Sequence, residues 1–216
     1  ESTGVKNVEI WKRGVDLVKF DPARRDESLR ENIRGKDSGK LIIGYVGRLA
    51  NEKRIDDLAI LDRQPDIQLV IVGGGPAEAR LKRELPNARF VGYQSGTELG
   101  RYVASFDIFV HTGKHETFCQ AIQEALAAGV PVIGPDTGGP VDLIEHGITG
   151  LLIDTADSYA LLEAVSTLRS HSAFDLMQIA ARRSVEHRTW DYINAQLIDY
   201  YRQTIAHVSR KGELVA

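Results

Sequence analysis

The stretch Leu41-Ile42-Ile43-Gly44-Tyr45-Val46, running directly into Gly47-Arg48-Leu49-Ala50-Asn51-Glu52-Lys53, decides how the chain is read. A short apolar run that ends in glycine and a polar loop predicts a strand buried on both faces, as in a parallel sheet covered by helices. Working outward, similar runs recur at Gln68 to Val72, Ala88 to Val91, Ile108 to His111, Val132 to Gly134 and Leu151 to Ile153. Between them, helical apolar spacing covers Arg54 to Arg63, Pro76 to Leu85, Thr97 to Ala104, Cys119 to Ala128, Pro140 to His146 and Ser158 to His171. Strand and helix alternate, which predicts right-handed crossovers and a Rossmann-like, three-layer α/β domain with a mainly parallel sheet. Ligands of such sheets lie beyond the carboxyl ends of the strands, so the loops there are where chemistry is sought.

Residues 1–40 read as a lead-in segment, 41–185 as the α/β domain and 186–216 as a helical tail, the last part of a helical pattern from Phe174 to Ser209. With 216 residues and 43% hydrophobic content, the chain can bury one core but is too short for two α/β lobes. It begins Glu1-Ser2-Thr3-Gly4 without an initiator methionine, and the expectation is a piece of a longer protein. Lys plus Arg number 27 against 30 Asp plus Glu, so the net charge of -3 supplies no field to gather nucleic acid or an anionic membrane. An anion must be held locally. The single cysteine, Cys119, excludes an internal disulfide, and no Cys/His cluster has zinc spacing, so no metal is expected. No apolar run approaches the roughly 20 residues that span a bilayer, and a cytoplasmic setting is expected.

Arg48 and Lys53 stand five residues apart after the first strand. A guanidinium fork and a mobile ammonium suit a diphosphate and can stabilise it as a leaving group. The alternative is a solvated loop that pairs them with Glu52 and Asp56. After the fourth strand comes His111-Thr112-Gly113-Lys114-His115-Glu116-Thr117-Phe118-Cys119-Gln120, with Glu124 eight residues beyond Glu116. A helix starting near Phe118 would put Glu116 just before its first turn and Glu124 about two turns inside, a separation able to span a sugar and a ribose. The backbone N–H groups of Phe118, Cys119 and Gln120 would then seat phosphate oxygens. The alternative is two carboxylates on a solvated face.

Gly73-Gly74-Gly75-Pro76 does not complete a dinucleotide fingerprint and reads as a turn, as does Gly138-Gly139-Pro140, with Pro140 starting a helix. His111 and His115 lack a third ligand at sensible spacing and read as packing or loop polarity. Cys119 at a helix start suggests a lowered thiol pKa. Trp11, Trp190 and Tyr200 read as core or interlobe anchors.

Gly47-Arg48-Leu49 with Lys53, Val72 to Pro76, Phe90-Val91-Gly92-Tyr93, the Glu116/Glu124 pair and Glu124-Ala125 through Val132 together resemble the retaining family-4 glycosyltransferases, which are built from two Rossmann lobes (GT-B type). The five motifs recur in order. Arg13-Gly14-Val15-Asp16 and Phe20-Asp21-Pro22 look like that family's approach to its C-terminal, donor-binding lobe. His115 to Gln120 with Trp11 to Asp16 is most similar to the GDP-mannose-dependent α-mannosyltransferases of actinobacteria.

The resemblance implies that this chain is the C-terminal half of the GT-B fold and binds a nucleotide sugar, GDP-mannose. Arg48 and Lys53, beside Gly47, would hold the diphosphate. Glu124 would take the ribose hydroxyls, and Glu116 with Thr117 and the amides of Phe118, Cys119 and Gln120 the sugar and phosphate. Tyr93 and Gln94 would line the base. The catalytic group implied is Arg48, Lys53 and Glu116, with no cofactor, no metal and the nucleophile supplied by the acceptor. The absent partner implied is an N-terminal lobe binding a lipid-linked or glycan acceptor, with the whole enzyme peripheral at the inner membrane face and the isolated chain inactive. The departure is Cys119-Gln120, where many relatives have glycine and an aliphatic residue.

Rival readings make other demands. A nicotinamide-dependent oxidoreductase needs a glycine fingerprint after the first strand and an acid ending the second, and both are missing. An epimerase or phosphorylase of the same two-lobed type would share the diphosphate site but needs His/Glu or cofactor-lysine signatures. A UDP-sugar-dependent lobe and a non-catalytic nucleotide-sugar-binding module remain as alternatives.

Overall fold

The computed structural model describes residues 8–35, 39–172 and 174–213, with side chains described as far as 207. Glu1 to Asn7, Lys36 to Ser38 and the last residues of the tail therefore lie outside the described residues.

Among the described residues six strands, β1 (Leu41–Val46), β2 (Ile67–Val72), β3 (Arg89–Gly92), β4 (Ile108–Val110), β5 (Val132–Pro135) and β6 (Gly150–Ile153), form one sheet in the order β3-β2-β1-β4-β5-β6. Every pairing is parallel, from Tyr45 opposite Ile71 to Ile43 opposite Ile108 and Ile133 opposite Leu151. Parallel strands buried on both faces should send successive side chains to opposite sides, and they do. Ile42, Val70, Val72, Phe109 and Val132 pack in one core with α1 (Glu27–Arg34), α4 (Gly96–Ala104), α5 (Gln120–Ala127) and α7 (Phe174–Val185). Ile43, Tyr45, Leu69, Ile71, Ile108 and Ile133 pack in the other with α2 (Ala59–Asp62), α3 (Glu78–Glu84) and α6 (Ser158–Ser170). The result is the expected three-layer Rossmann-like domain.

The strand order reverses between β1 and β4, the topological switch point beyond which doubly wound sheets bind ligands. At the opposite end of the sheet, Asp107 accepts from Arg25 at 2.9 Å, Arg30 at 2.9 Å and the Ile42 amide at 2.8 Å, and Arg34 lies 3.4 Å away. Nearly all of Arg30 is buried. This hub fastens α1, itself capped by Asp26 on the Leu29 amide, to the sheet.

Several expected boundaries shift for identifiable reasons. The pattern at Arg54 to Arg63 is not one helix, because Arg54 sits at φ 52 and is followed by a 3-10 turn at Ile55–Leu58 before α2. Pro140 to His146 contains only the 3-10 turn Gly139–Asp142, since the chain loops back with Thr149 Oγ1 accepting from the Glu145 amide at 2.9 Å. The pattern from Phe174 divides into α7 and α8 (Trp190–Glu213), where Val15 pairs with Thr189 and its amide donates to Arg188 O at 2.8 Å. Trp11 and Trp190 are not core: they are 51% and 40% exposed.

Candidate functional site

The loops that leave β1, β2, β3 and β4 build the site, with the turn after β5 behind them. The loop after β1 returns toward the one after β2 through backbone pairs: Leu49 N to Gly74 O at 2.9 Å and Ala77 N to Leu49 O at 2.9 Å. Gly73 takes φ 138, and a Cβ there would lie 1.9 Å from Gly47 O, so the turn at Gly73 to Gly75 exists to let these loops touch. With Lys19, Tyr93, Gln94 and Ser95, residues Gly47 and Arg48 line a cleft of about 420 Å³. Tyr93 is 80% exposed, and Gln94 Nε2 donates to Val91 O at 2.8 Å, which fixes its amide at the cleft wall.

Arg48 pairs with Glu52, as its solvated-loop alternative requires, but the pair is largely exposed and such pairs are weak. Lys53 pairs with neither Glu52 nor Asp56; its ammonium donates to Glu116 Oε1, and Asp56 faces Arg80 instead. Thr112 Oγ1 donates to Lys53 O at 2.7 Å, tying the loops after β1 and β4 a second time.

Glu116 also lies 3.3 Å from His111 Nε2. The orientation is poor for a hydrogen bond, and both nitrogens of this buried imidazole have no such partner among the described residues. The His111 ring and the Lys53 ammonium hold the Glu116 carboxyl down to about 2 against its burial. Behind it, Gly139 N donates to Glu116 O at 2.7 Å, and a Cβ on Gly139 would meet Phe118 N at 2.6 Å. The glycine turn after β5 is therefore a buttress for the Glu116 loop.

α5 begins at Gln120, two residues later than expected, so Glu124 is its fifth residue, about one turn inside. Ile122, Ala125 and Leu126 bury its sheet-facing side. Gly129 at φ 68 ends it, with Gly129 N on Leu126 O at 2.9 Å and Val130 N on Ala125 O at 3.0 Å. The amides of Phe118, Cys119 and Gln120 have no acceptor among the described residues. Thr117 is exposed beside them and Phe118 half-buried.

Glu124 is half-buried without a hydrogen-bonding partner among the described residues, and burial pushes its carboxyl up to about 7, offset partly by Lys19. Cys119 corrects an expectation. Its thiol is raised to about 12, not lowered, because burial outweighs its position at the helix start. Its φ of 66 is also a region that favours glycine, which is what many relatives of the resembled family carry there.

Sequence reasoning missed Lys19, which sits in the lead-in segment yet lines the cleft and faces Glu124. It also passed over His111, whose ring stacks on buried Tyr45 at 6.2 Å and whose nitrogens converge with Glu116 and Cys119, a set able to hold a metal ion.

Comparisons with known proteins follow the same lines. The profile described as glycosyl transferases group 1 matches residues 26–183. The GDP-mannose-dependent alpha-mannosyltransferase of Corynebacterium glutamicum is 45% identical over 204 residues, covering 94% of this chain and 49% of that protein. Its namesake from Mycolicibacterium smegmatis is 45% identical over 210 residues, covering 96% of this chain and 55% of that protein. The chain thus spans about half the length of the curated relatives it matches. Among solved structures, sucrose-phosphate synthase from Thermosynechococcus elongatus superposes with a TM-score of 0.82 at 25% identity, covering 94% of this chain and 54% of that one. Anabaena HepE in complex with UDP gives 0.76 at 21%, covering 88% and 56%.

Proposed function

The chain belongs to the group 1 glycosyl transferases, and from that premise we propose that it is the donor-binding half of a retaining mannosyltransferase that uses GDP-mannose. The observation that carries this reading is the Lys53–Glu116 pair beside the unpartnered amides of Phe118, Cys119 and Gln120, directly over the β1/β4 switch point. A cation, a carboxylate and a helix start at one spot offer a diphosphate its charge partners and a sugar its hydroxyl acceptor. The 45% identity to enzymes named for GDP-mannose supports the choice of donor.

In the proposed reaction the bond between the sugar C1 and the diphosphate oxygen breaks, and its electron pair leaves with the diphosphate. Arg48, Lys53 and the α5 amides stabilise that charge as it develops, the role a metal fills elsewhere. An acceptor hydroxyl oxygen bonds to C1 on the same face, and its proton passes to the departing diphosphate oxygen. Glu116 positions the sugar, Glu124 accepts from the ribose hydroxyls, and the cleft between Gly47 and Tyr93 takes the base. The acceptor, lipid-linked or glycan, belongs to the other half of the enzyme, and these 216 residues alone bind donor without turning it over. Among the described residues no helix is long and apolar enough to cross a membrane, and we place the whole enzyme in the cytoplasm, at the inner membrane face when its acceptor is a lipid.

Glu124→Ala tests the assignment. Loss of most GDP-mannose affinity with the fold intact is expected; unchanged affinity would remove Glu124 from the site and favour an interaction module.

A further inference from the structure

We propose that His111, Glu116 and Cys119 form a binding site for a zinc-class divalent cation, with three protein ligands and an open fourth position. One nitrogen, one carboxylate oxygen and one sulfur from these residues lie within 4.8 Å of one another. Zinc bonds of about 2.0 to 2.3 Å place tetrahedral ligand atoms roughly 3.5 Å apart, so modest side-chain rotations close the set. Imidazole, thiolate and carboxylate together select zinc over magnesium or calcium, which prefer oxygen alone.

Two further observations point to a ligand here. His111 is 3% exposed, and both its ring nitrogens lack a hydrogen-bond partner among the described residues. Buried polar atoms are rarely left so, and a metal ion bound at Nε2 would take the place of the ring proton turned toward Glu116. Cys119 holds a thiol at φ 66, where the backbone favours glycine, and so keeps a soft ligand facing the same space at a cost in strain.

The charges also balance. When the thiol proton is released to solvent, a thiolate, a carboxylate and a neutral imidazole neutralise a dication. Lys53 now holds Glu116, but it is a quarter exposed and can turn outward when the ion arrives. The metal site stands without the donor assignment. Resting on that assignment, however, the shared Glu116 makes zinc and nucleotide sugar mutually exclusive, so zinc would inhibit.

Cd²⁺ titrated into the metal-free protein reads the site directly through its thiolate-to-metal charge-transfer absorption. The band should saturate at one ion per chain and vanish on adding Zn²⁺. In Cys119→Ser and His111→Gln, Zn²⁺ affinity against a chromophoric chelator should fall by more than about tenfold. No band from the unsubstituted protein overturns the proposal whether or not the variants fold, as does unchanged affinity in both folded variants, which would put the ion on exposed side chains such as His115. A GDP-mannose titration in metal-free buffer separates the two readings. A band without donor binding overturns the donor assignment alone, and donor binding without a band overturns the metal site alone.

Discussion

The Lys53 ammonium donates to Glu116 Oε1 across 63 residues of sequence, joining the loops that leave the two strands on either side of the switch point. Each side chain satisfies the charge of the other. On the proposed reading an incoming diphosphate gives Lys53 a second anion and leaves Glu116 free to face the sugar. The pair thus keeps a cation and a carboxylate in place at a half-buried site where either alone would be costly.

Arg48 is held only by an exposed pair with Glu52, so it is available to a ligand at little cost. Arg48→Ala should weaken GDP binding about 10- to 100-fold, the value of one or two charge-assisted hydrogen bonds, and leave guanosine binding nearly unchanged. Calorimetry with the two ligands measures this, and equal losses for both would remove Arg48 from the diphosphate site.

Glu124 predicts a pH dependence of stability. Its carboxyl titrates near 7 in the folded chain against 4.5 normally, because burial penalises the charge. Between those values the folded state holds a proton that the unfolded state has lost, so stability falls as pH rises from about 4.5 to 7 and is level above. Glu124→Gln removes that term and should add roughly 1 to 3 kcal/mol at pH 8 and almost nothing at pH 4. Urea denaturation at the two pH values decides it, a pH-independent gain being the contrary result.

Asp107 serves Arg25, Arg30, Arg34 and the Ile42 amide from within the fold. Asp107→Ala takes the central carboxylate from buried Arg30 and from its neighbours Arg25 and Arg34, leaving only Glu27 beside Arg30, and should cost about 3 to 5 kcal/mol in urea denaturation. Asp107→Asn, which keeps an acceptor for Ile42, should cost less. A loss below about 1 kcal/mol for the alanine variant would mean that α1 is not anchored there.

Gly139→Ala puts a Cβ 2.6 Å from Phe118 N and should displace the loop carrying Glu116. About 1 to 3 kcal/mol of stability should go, together with donor affinity. Gly39→Ala, with nothing within 4 Å among the described residues, is the control and should change neither. Full donor affinity in Gly139→Ala would separate the glycine turn from the site.

The strands were legible because residues such as Ile42 and Ile43 face opposite cores, leaving no polar alternation to confuse them with exposed strands. The site loops were legible because glycine turns and charged residues cluster directly after those strands. What sequence could not show is convergence. Lys19 reaches the cleft from the lead-in segment, and His111, Glu116 and Cys119 meet although their spacing matches no metal motif. The Cys119 thiol illustrates a competition: helix position predicts one direction, while burial, known only once α5 is packed, imposes the other. The break before α8 was hidden because Thr189 is compatible with a helix until Val15 pairs with it.

The central claim is that the loops over β1 and β4 hold a guanosine-diphosphate sugar. Calorimetric titration with GDP-mannose, GDP and UDP-glucose in metal-free buffer tests it most directly. Saturable one-to-one heats are predicted for both guanine ligands, with UDP-glucose much weaker or silent. Preference for UDP-glucose would keep the fold and contradict the donor, and the absence of saturable heat with any of the three would contradict the site itself.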